Sequence, residues 1–269
     1  MESKKQEKKV KKSRGVSALL VIVIALVLAE SFYYFVLGDP SHFEGNDPAN
    51  HPNDLLGTMF KGGFVVPIIL TLLLTVVILS VERFFALSTA KGKGNLIKFV
   101  YDVKQELTKN NIAEAEELCG KQKGSVAAIV DAGLKKYKEM GTANLPKEQK
   151  IEEIKAEIEE ATALELPSMQ QNLPIIATIS TLGTLMGLFG TVLGMIKSFQ
   201  ALGTAGAVDS VALSVGISEA LVNTATGIAT GALAIISYSY FSGKIDNMTY
   251  AIDEMGFALT QTYAETNEK

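Results

Sequence analysis

The chain has no tryptophan, a single cysteine and two histidines in 269 residues. The lone Cys119 excludes an intrachain disulfide. His42 and His51 are the only imidazoles, and they fit no spacing used by metal-binding or nucleophilic sites. Without tryptophan, an interfacial aromatic belt falls to tyrosine and phenylalanine, with Tyr33, Tyr34, Tyr238 and Tyr240 as its candidates. Paired catalytic carboxylates, a Ser-His or Cys-His arrangement and a phosphate loop are also missing, so an enzyme is not expected and no cofactor is expected either. A net charge of -4 gives no footprint for nucleic acid.

What the chain has in quantity is uncharged apolar sequence: hydrophobic residues make up 48% of it. Residues 1–15 form a lysine-rich arm with seven basic residues between Lys4 and Arg14, suited to a solvated segment beside anionic lipid heads. Val16 to Leu37 then runs for 22 residues with Glu30 as its only charge. It is longer than a signal-peptide core and ends in Phe-Tyr-Tyr-Phe, which predicts a retained first span over 16–37. Residues 38–61 read as a loop broken by Asp39-Pro40, Asp47-Pro48 and His51-Pro52. Its stretch from Gly38 to Gly57 lacks Lys and Arg, which puts it on the outer, periplasmic side. His42, His51, Asp39, Glu44, Asp47 and Asp54 read there as an acidic exposed loop rather than a metal site.

A second span covers 62–85. It has 20 uncharged residues from Gly62 to Val81 and closes on Glu82-Arg83, an opposite-charge pair suited to anchor a helix end at the interface. Residues 86–172 predict a cytoplasmic helical domain. Gly92-Lys93-Gly94 breaks the chain, and Leu96, Val100, Val103 and Leu107 recur at helical spacing. Asn111 with Glu114 reads as a capped helix start. A further helix is expected from Ser125 to about Met140, stopped by Gly141, and another from Pro146 with Ile151, Ile154, Ile158 and Ala161 as its apolar stripe. Cys119 reads as a small buried hydrophobe.

The third span, 173–201, opens with 24 uncharged residues. Gly183, Gly187, Gly190 and Gly194 give it a smooth face for close helix approach. Thr184, Thr191 and Ser198, seven apart, line another face. Residues 202–210 form a second outer loop, with Asp209 or Ser210 as the cap of the next helix. The fourth span, 211–241, carries one charge, Glu219. A carboxylate in hydrocarbon is costly and marks an ion path by default. Glu219, Asn223, Thr226 and Thr230 share a stripe, with Thr224 beside it and Gly227 and Gly231 below. Residues 242–269 continue as a cytoplasmic helix. There Ile245, Met248, Ile252, Met255 and Leu259 form a heptad-like seam suited to packing against copies of itself. The expected fold is thus all-α and polytopic: four transmembrane helices, a cytoplasmic domain between the second and third, and long third and fourth spans extending into the cytoplasm.

Two motifs narrow the reading. Gly187-Leu188-Phe189-Gly190-Thr191-Val192-Leu193-Gly194-Met195 and Gly216-Ile217-Ser218-Glu219-Ala220-Leu221-Val222-Asn223-Thr224-Ala225-Thr226-Gly227 resemble the MotA/TolQ/ExbB proton channel family, nearest to ExbB and TolQ. Glu82-Arg83 is similar to that family's first-span ending. The resemblance implies a homopentamer in the bacterial inner membrane, with both termini of this chain cytoplasmic. It also implies a single-span ExbD- or TolR-like partner in a central pore, and a TonB- or TolA-like protein driven by it. Carried over, Thr191, Glu219 and Thr224 stand at the family's polar pore positions, with Thr184 and Asn223 along the same path. The partner would bring the aspartate that carries the proton. The resemblance departs at the front, where this chain adds a span. Four spans are similar to the flagellar stator subunit MotA as well, which leaves Tol-type and stator roles open. A non-conducting membrane scaffold is the reading of another class, and H⁺ and Na⁺ are not separated by hydroxyls and carboxylates.

Overall fold

A computed structural model describes residues 16–204 and 210–266. The basic arm, most of the 202–210 loop with Asp209, and the last three residues lie outside the described residues. Among the described residues the α-helices are α1 (Ala18–Phe32), α2 (Leu55–Lys61), α3 (Val65–Lys91), α4 (Leu96–Thr108), α5 (Ile112–Gln122), α6 (Gly124–Thr142), α7 (Lys147–Gln170), α8 (Leu173–Thr204) and α9 (Ser210–Thr266). Four helical stretches are long and apolar enough to cross a membrane: Ala18–Leu37, Val65–Thr108, Lys147–Gln200 and Leu213–Thr266. The chain is an all-α, multi-pass membrane protein.

The spans differ in what they bury. α1 is apolar all round and packs on α3 through Val21, Ala25 and Ala29, leaving Leu19, Val23 and Val27 bare, as a lipid-facing helix requires. A π-helical turn, Tyr33–Leu37, ends it. The loop beyond is more ordered than its glycines and prolines suggest. Asp54 caps the short helix α2 by accepting from the Gly57 N–H at 2.8 Å, and its other oxygen lies 2.7 Å from His42 Nδ1. Asp39 accepts from Ser41 and Asp47 from Ala49. The carboxylates of Asp39, Asp47 and Asp54 are thus engaged in turns and caps. Phe43 and Tyr33 both pack on Phe60, which seats the loop on α2.

At the opposite end α4 to α7 form a helical domain. Gly92 (φ 79°) and Gly94 (φ 87°) make its entry turn, a conformation that glycine adopts without strain. Asn111 accepts from the Glu114 N–H at 3.4 Å and caps α5. Leu96, Val100, Val103 and Leu107 are buried, as are Ile154 and Ile158. Two expectations change here. Gly141 does not stop α6, which runs to Thr142. A side chain at Gly141 would meet open space, and the chain turns extended only at Ala143. The seam Ile245, Met248, Ile252, Met255 and Leu259 does not face copies of the chain. All five side chains lie within one core with Leu96, Val103, Val126, Ile154 and Ile158, because α4, α6 and α7 pack along α9 and cover that face.

Arg83 ties α3 to the end of α7. Its side chain is 1% exposed and pairs with Glu82 through Nε at 2.6 Å and through Nη2. Nη1 donates to the Ser168 and Met169 carbonyls at 3.2 and 3.3 Å. Those carbonyls are left over at the end of α7, where Asn172 (φ 65°) breaks it from α8. Asn172 in turn donates to Glu82 and to the Val16 carbonyl at the foot of α1.

Candidate functional site

The site is built on the pairing of α8 and α9, the closest helix contact in the chain. Gly183, Gly187, Gly190 and Gly194 all lie on that contact. A Cβ on Gly187 would stand 3.0 Å from the Asn223 carbonyl and 3.0 Å from Gly227 Cα. One on Gly190 would stand 2.6 Å from Asn223 Cβ, and one on Gly194 2.7 Å from Ala220 Cβ. Gly227 answers from α9, where a Cβ would stand 2.7 Å from the Gly183 carbonyl oxygen. Glycines on both helices let the two backbones meet, and dispersion between them replaces the side-chain packing they give up.

This approach brings two hydroxyls together. Thr191 and Thr224 touch through their Oγ1 atoms, and each lies 3.2 Å from the Gly187 carbonyl. Thr191 also reaches the Ala220 carbonyl at 3.4 Å. The pair forms one small polar node inside an apolar helix contact, with each partner able to donate or accept. Thr184 stands two turns away on α8 and donates to Ser180 at 3.3 Å. It faces Gly231 rather than the node.

Glu219 belongs to a second polar group. Five residues separate it from Thr224, which is about 140° around the helix. Glu219 and Asn223 are one turn apart and face the start of α3. Asn223 is 2% exposed, and its Nδ2 donates to the Gly62 carbonyl at 3.1 Å. A small cavity of about 10 Å³ is lined by Glu219 and Asn223 together with Lys61, Gly62 and Lys197. Both lysines act electrostatically on Glu219. Lys61 is held from the loop side, where its Nζ donates to the Ala49 carbonyl at 3.0 Å.

The residues singled out from sequence therefore fall into three places. Thr191 and Thr224 meet; Glu219 and Asn223 meet the foot of α3; Glu82 and Arg83 lie at the far end in the buried network. Lys61 and Lys197 were missed. Each sits just outside an apolar run, and Lys197 closes the uncharged stretch of α8, which is the signal that marks it. No cluster of three or more His, Cys, Asp or Glu side chains gathers among the described residues.

Residues 121–254 match the model of the MotA/TolQ/ExbB proton channel family, a stretch that includes the threonine node, Glu219 and the glycine contact. The chain belongs to this family. Among its relatives, a putative biopolymer transport protein ExbB homolog of Methanothermobacter thermautotrophicus is 28% identical over 171 residues, covering 61% of this chain and 57% of that protein. The Tol-Pal system protein TolQ of Pseudomonas aeruginosa is 36% identical over 84 residues, 31% of this chain and 36% of that one. A biopolymer transport protein ExbB of Pseudomonas putida is 27% identical over 135 residues, 50% and 41% of the two chains. The matched stretches thus span between about a third and just over half of these relatives' lengths.

Proposed function

We propose that the chain is an ExbB/TolQ-like subunit of a proton-driven motor in the bacterial inner membrane, where it couples ion flow to energised outer-membrane transport through a TonB-type system. The observation that carries this reading is Glu219, the one charge between Val211 and Phe241, on the same helix whose Thr224 closes on Thr191. A carboxylate held in a membrane helix beside a hydroxyl node suits transient proton handling. Copies of the chain assemble as a homo-oligomer, a pentamer in this reading, around the single span of an ExbD- or TolR-like partner. That partner passes the work to a TonB- or TolA-like protein. The basic arm and Lys91, Lys93 and Lys98 support placing both termini and the helical domain in the cytoplasm. Lys61 and Lys197 then lie on the outer side, where Glu219 offsets part of their charge. The chain itself performs no covalent chemistry here.

Each elementary charge that crosses is worth about 2.3 kcal/mol per 100 mV, so useful work demands low leak. Proton flux into liposomes holding the chain with the single-span protein encoded beside it tests the reading. Glu219→Ala is expected to abolish driven flux while leaving the oligomer assembled, and full flux in that variant refutes the role given to Glu219. A non-conducting scaffold is the second reading, supported by the glycine contact of α8 and α9, which by itself builds a tight helix pair. It predicts loss of assembly as the sole effect of Glu219→Ala. Flux driven together with a Tol-type or stator-type partner instead of a TonB-type one would move the chain to that system.

A further inference from the structure

One face of α9 is left uncovered on the cytoplasmic side. Tyr240, Gly243, Asn247, Tyr250, Glu254 and Phe257 recur at spacings of three and four, beside the seam that the chain covers itself. Tyr250 is 73% and Phe257 70% exposed. With the end of α3 and with α4 this face makes a groove of about 690 Å³. Ile97 and Tyr101 form its far wall, 80% and 63% exposed. Its charge is mostly positive. Lys91, Lys104 and Lys244 line it; Lys104 pairs with Glu254 at 2.8 Å, and Lys244 lies over the Tyr240 ring at 5.1 Å.

We propose that this groove seats α7 of a second copy of the chain, with Leu164 entering between Tyr101 and Tyr250 and with Glu160 arriving beside Lys104. The proposal rests on the homo-oligomer of the preceding reading and names the faces that meet. Three observations carry it. The first is reach. From Tyr240 to Phe257 the stripe runs about 25 Å along the helix, away from the end of the apolar run at Phe241. A lipid headgroup covers only its upper end, so the occupant is a protein that stands at the same membrane surface. The second is complementarity. Around Leu164, a bare apolar side chain at 71% exposure, α7 exposes Ala156, Glu160 and Ala163, while Glu159 pairs with Lys155 further round the helix. Acid and small residues around one leucine are the counterpart of a basic groove with aromatic walls.

The third is depth. Ile158 of α7 packs beside Gly256 of α9 within one chain. The two helices run in opposite directions at about 1.5 Å per residue. Leu164 therefore stands at the depth of Tyr250, and Glu160 at that of Glu254 and Lys104. Copies related by an axis along the membrane normal share every depth, so the same levels meet between neighbours. A groove on one side and a ridge on another is a head-to-tail contact, the kind that closes into a ring.

The test uses two differently tagged full-length copies in lipid nanodiscs, one with Leu164→Cys and one with Tyr250→Cys. Cys119 is buried and serves as the silent background. Oxidation is expected to give a disulfide joining the two tags, and none when Leu164→Cys is replaced by Glu117→Cys on the far α5. Lys104→Glu with Lys244→Glu is expected to speed subunit exchange about tenfold, and Glu160→Lys to reverse it. An oligomer that forms without this disulfide and ignores the charge reversals overturns the groove proposal and leaves the motor reading standing. A chain that stays monomeric in nanodiscs overturns both. Loss of bound anionic lipid as the only effect of the lysine changes assigns the groove to headgroups and overturns it as well.

Discussion

Gly227→Ala adds one methyl group to the contact of α8 and α9. The new Cβ would stand 2.5 Å from Gly187 Cα, 2.7 Å from the Gly183 carbonyl oxygen and 2.8 Å from the Gly187 nitrogen, all backbone atoms with nowhere to swing. Ordinary contact begins at 3.4 Å, so the helices must part by about 0.9 Å. Forced overpacking of this kind costs about 1–3 kcal/mol. It also stretches the bond from Thr224 to the Gly187 carbonyl, now 3.2 Å, past hydrogen-bonding range. That loss adds about 0.5–1.5 kcal/mol, and the gain of about 0.5–1 kcal/mol from a better helix former offsets part of it, which leaves a net cost of about 0.5–4 kcal/mol. The control is the same change at Gly120 in α5, where a Cβ meets nothing within 4 Å. There alanine is the better helix former, and Gly120→Ala stabilises by about 0.5–1 kcal/mol. Equilibrium unfolding of the full chain in mixed micelles, followed by circular dichroism, reads both. Opposite signs are expected. A Gly227→Ala chain as stable as Gly120→Ala would show that α8 and α9 do not meet backbone to backbone.

Arg83→Met strands Glu82, whose side chain is 13% exposed, and frees two carbonyls of α7. It is expected to cost about 3–5 kcal/mol, while Arg83→Met with Glu82→Leu costs less than Arg83→Met alone; the same unfolding assay decides. Burial pushes the Cys119 thiol up to about 12. Maleimide labelling at pH 8 should therefore be absent in the folded chain and appear only with unfolding, so rapid labelling of the native protein contradicts the packing of α5. The Gly57 N–H, with help from His42, holds the Asp54 carboxyl below the usual carboxylate range. A carboxyl lowered in the folded state binds fewer protons there than in the unfolded one. Its contribution is therefore present above the unfolded value near pH 4 and is lost as pH falls through the folded value. Amide exchange at Gly57 should quicken over that acid range in the native chain, beyond the intrinsic rate, and show no such step in Asp54→Asn.

Periodicity in the sequence marks which faces are covered and leaves open what covers them. Ile245 to Leu259 reads as a seam because burial imposes the three-four spacing. The chain's own α4, α6 and α7 cover it, a fact set by tertiary packing between segments at least 75 residues apart. The glycines of α8 are legible for the same reason: only a close neighbour makes so many of them useful on one face. The short helix α2 is hidden among glycine and X-Pro signals, although Asp54 carries its cap in plain view. Glu219 stands out in the sequence because it is alone in its span. Its neighbours do not, since Lys61 and Lys197 come from the ends of two other helices and a sequence pattern carries no information on which ends meet.

The two polar groups on α9 divide its work by direction. The threonine node faces α8 and lies within the glycine contact, so it changes only if those two helices shift against each other. Glu219 and Asn223 face the foot of α3 and the 38–61 segment, with Lys61 tethered to the Ala49 carbonyl. A shift of the loop therefore acts on the Glu219 group without passing through the node. Both groups ride on one uninterrupted helix of 57 residues, about 85 Å long, with no proline inside it. Its far end is fixed in the core of the helical domain by Ile252, Met255, Leu259 and Tyr263, the last donating to the Met140 carbonyl at 2.8 Å. A helix held that way has no kink site of the proline kind in which to absorb a displacement. Movement at the Glu219 end then arrives at the α7–α9 contact as tilt or rotation of the whole rod.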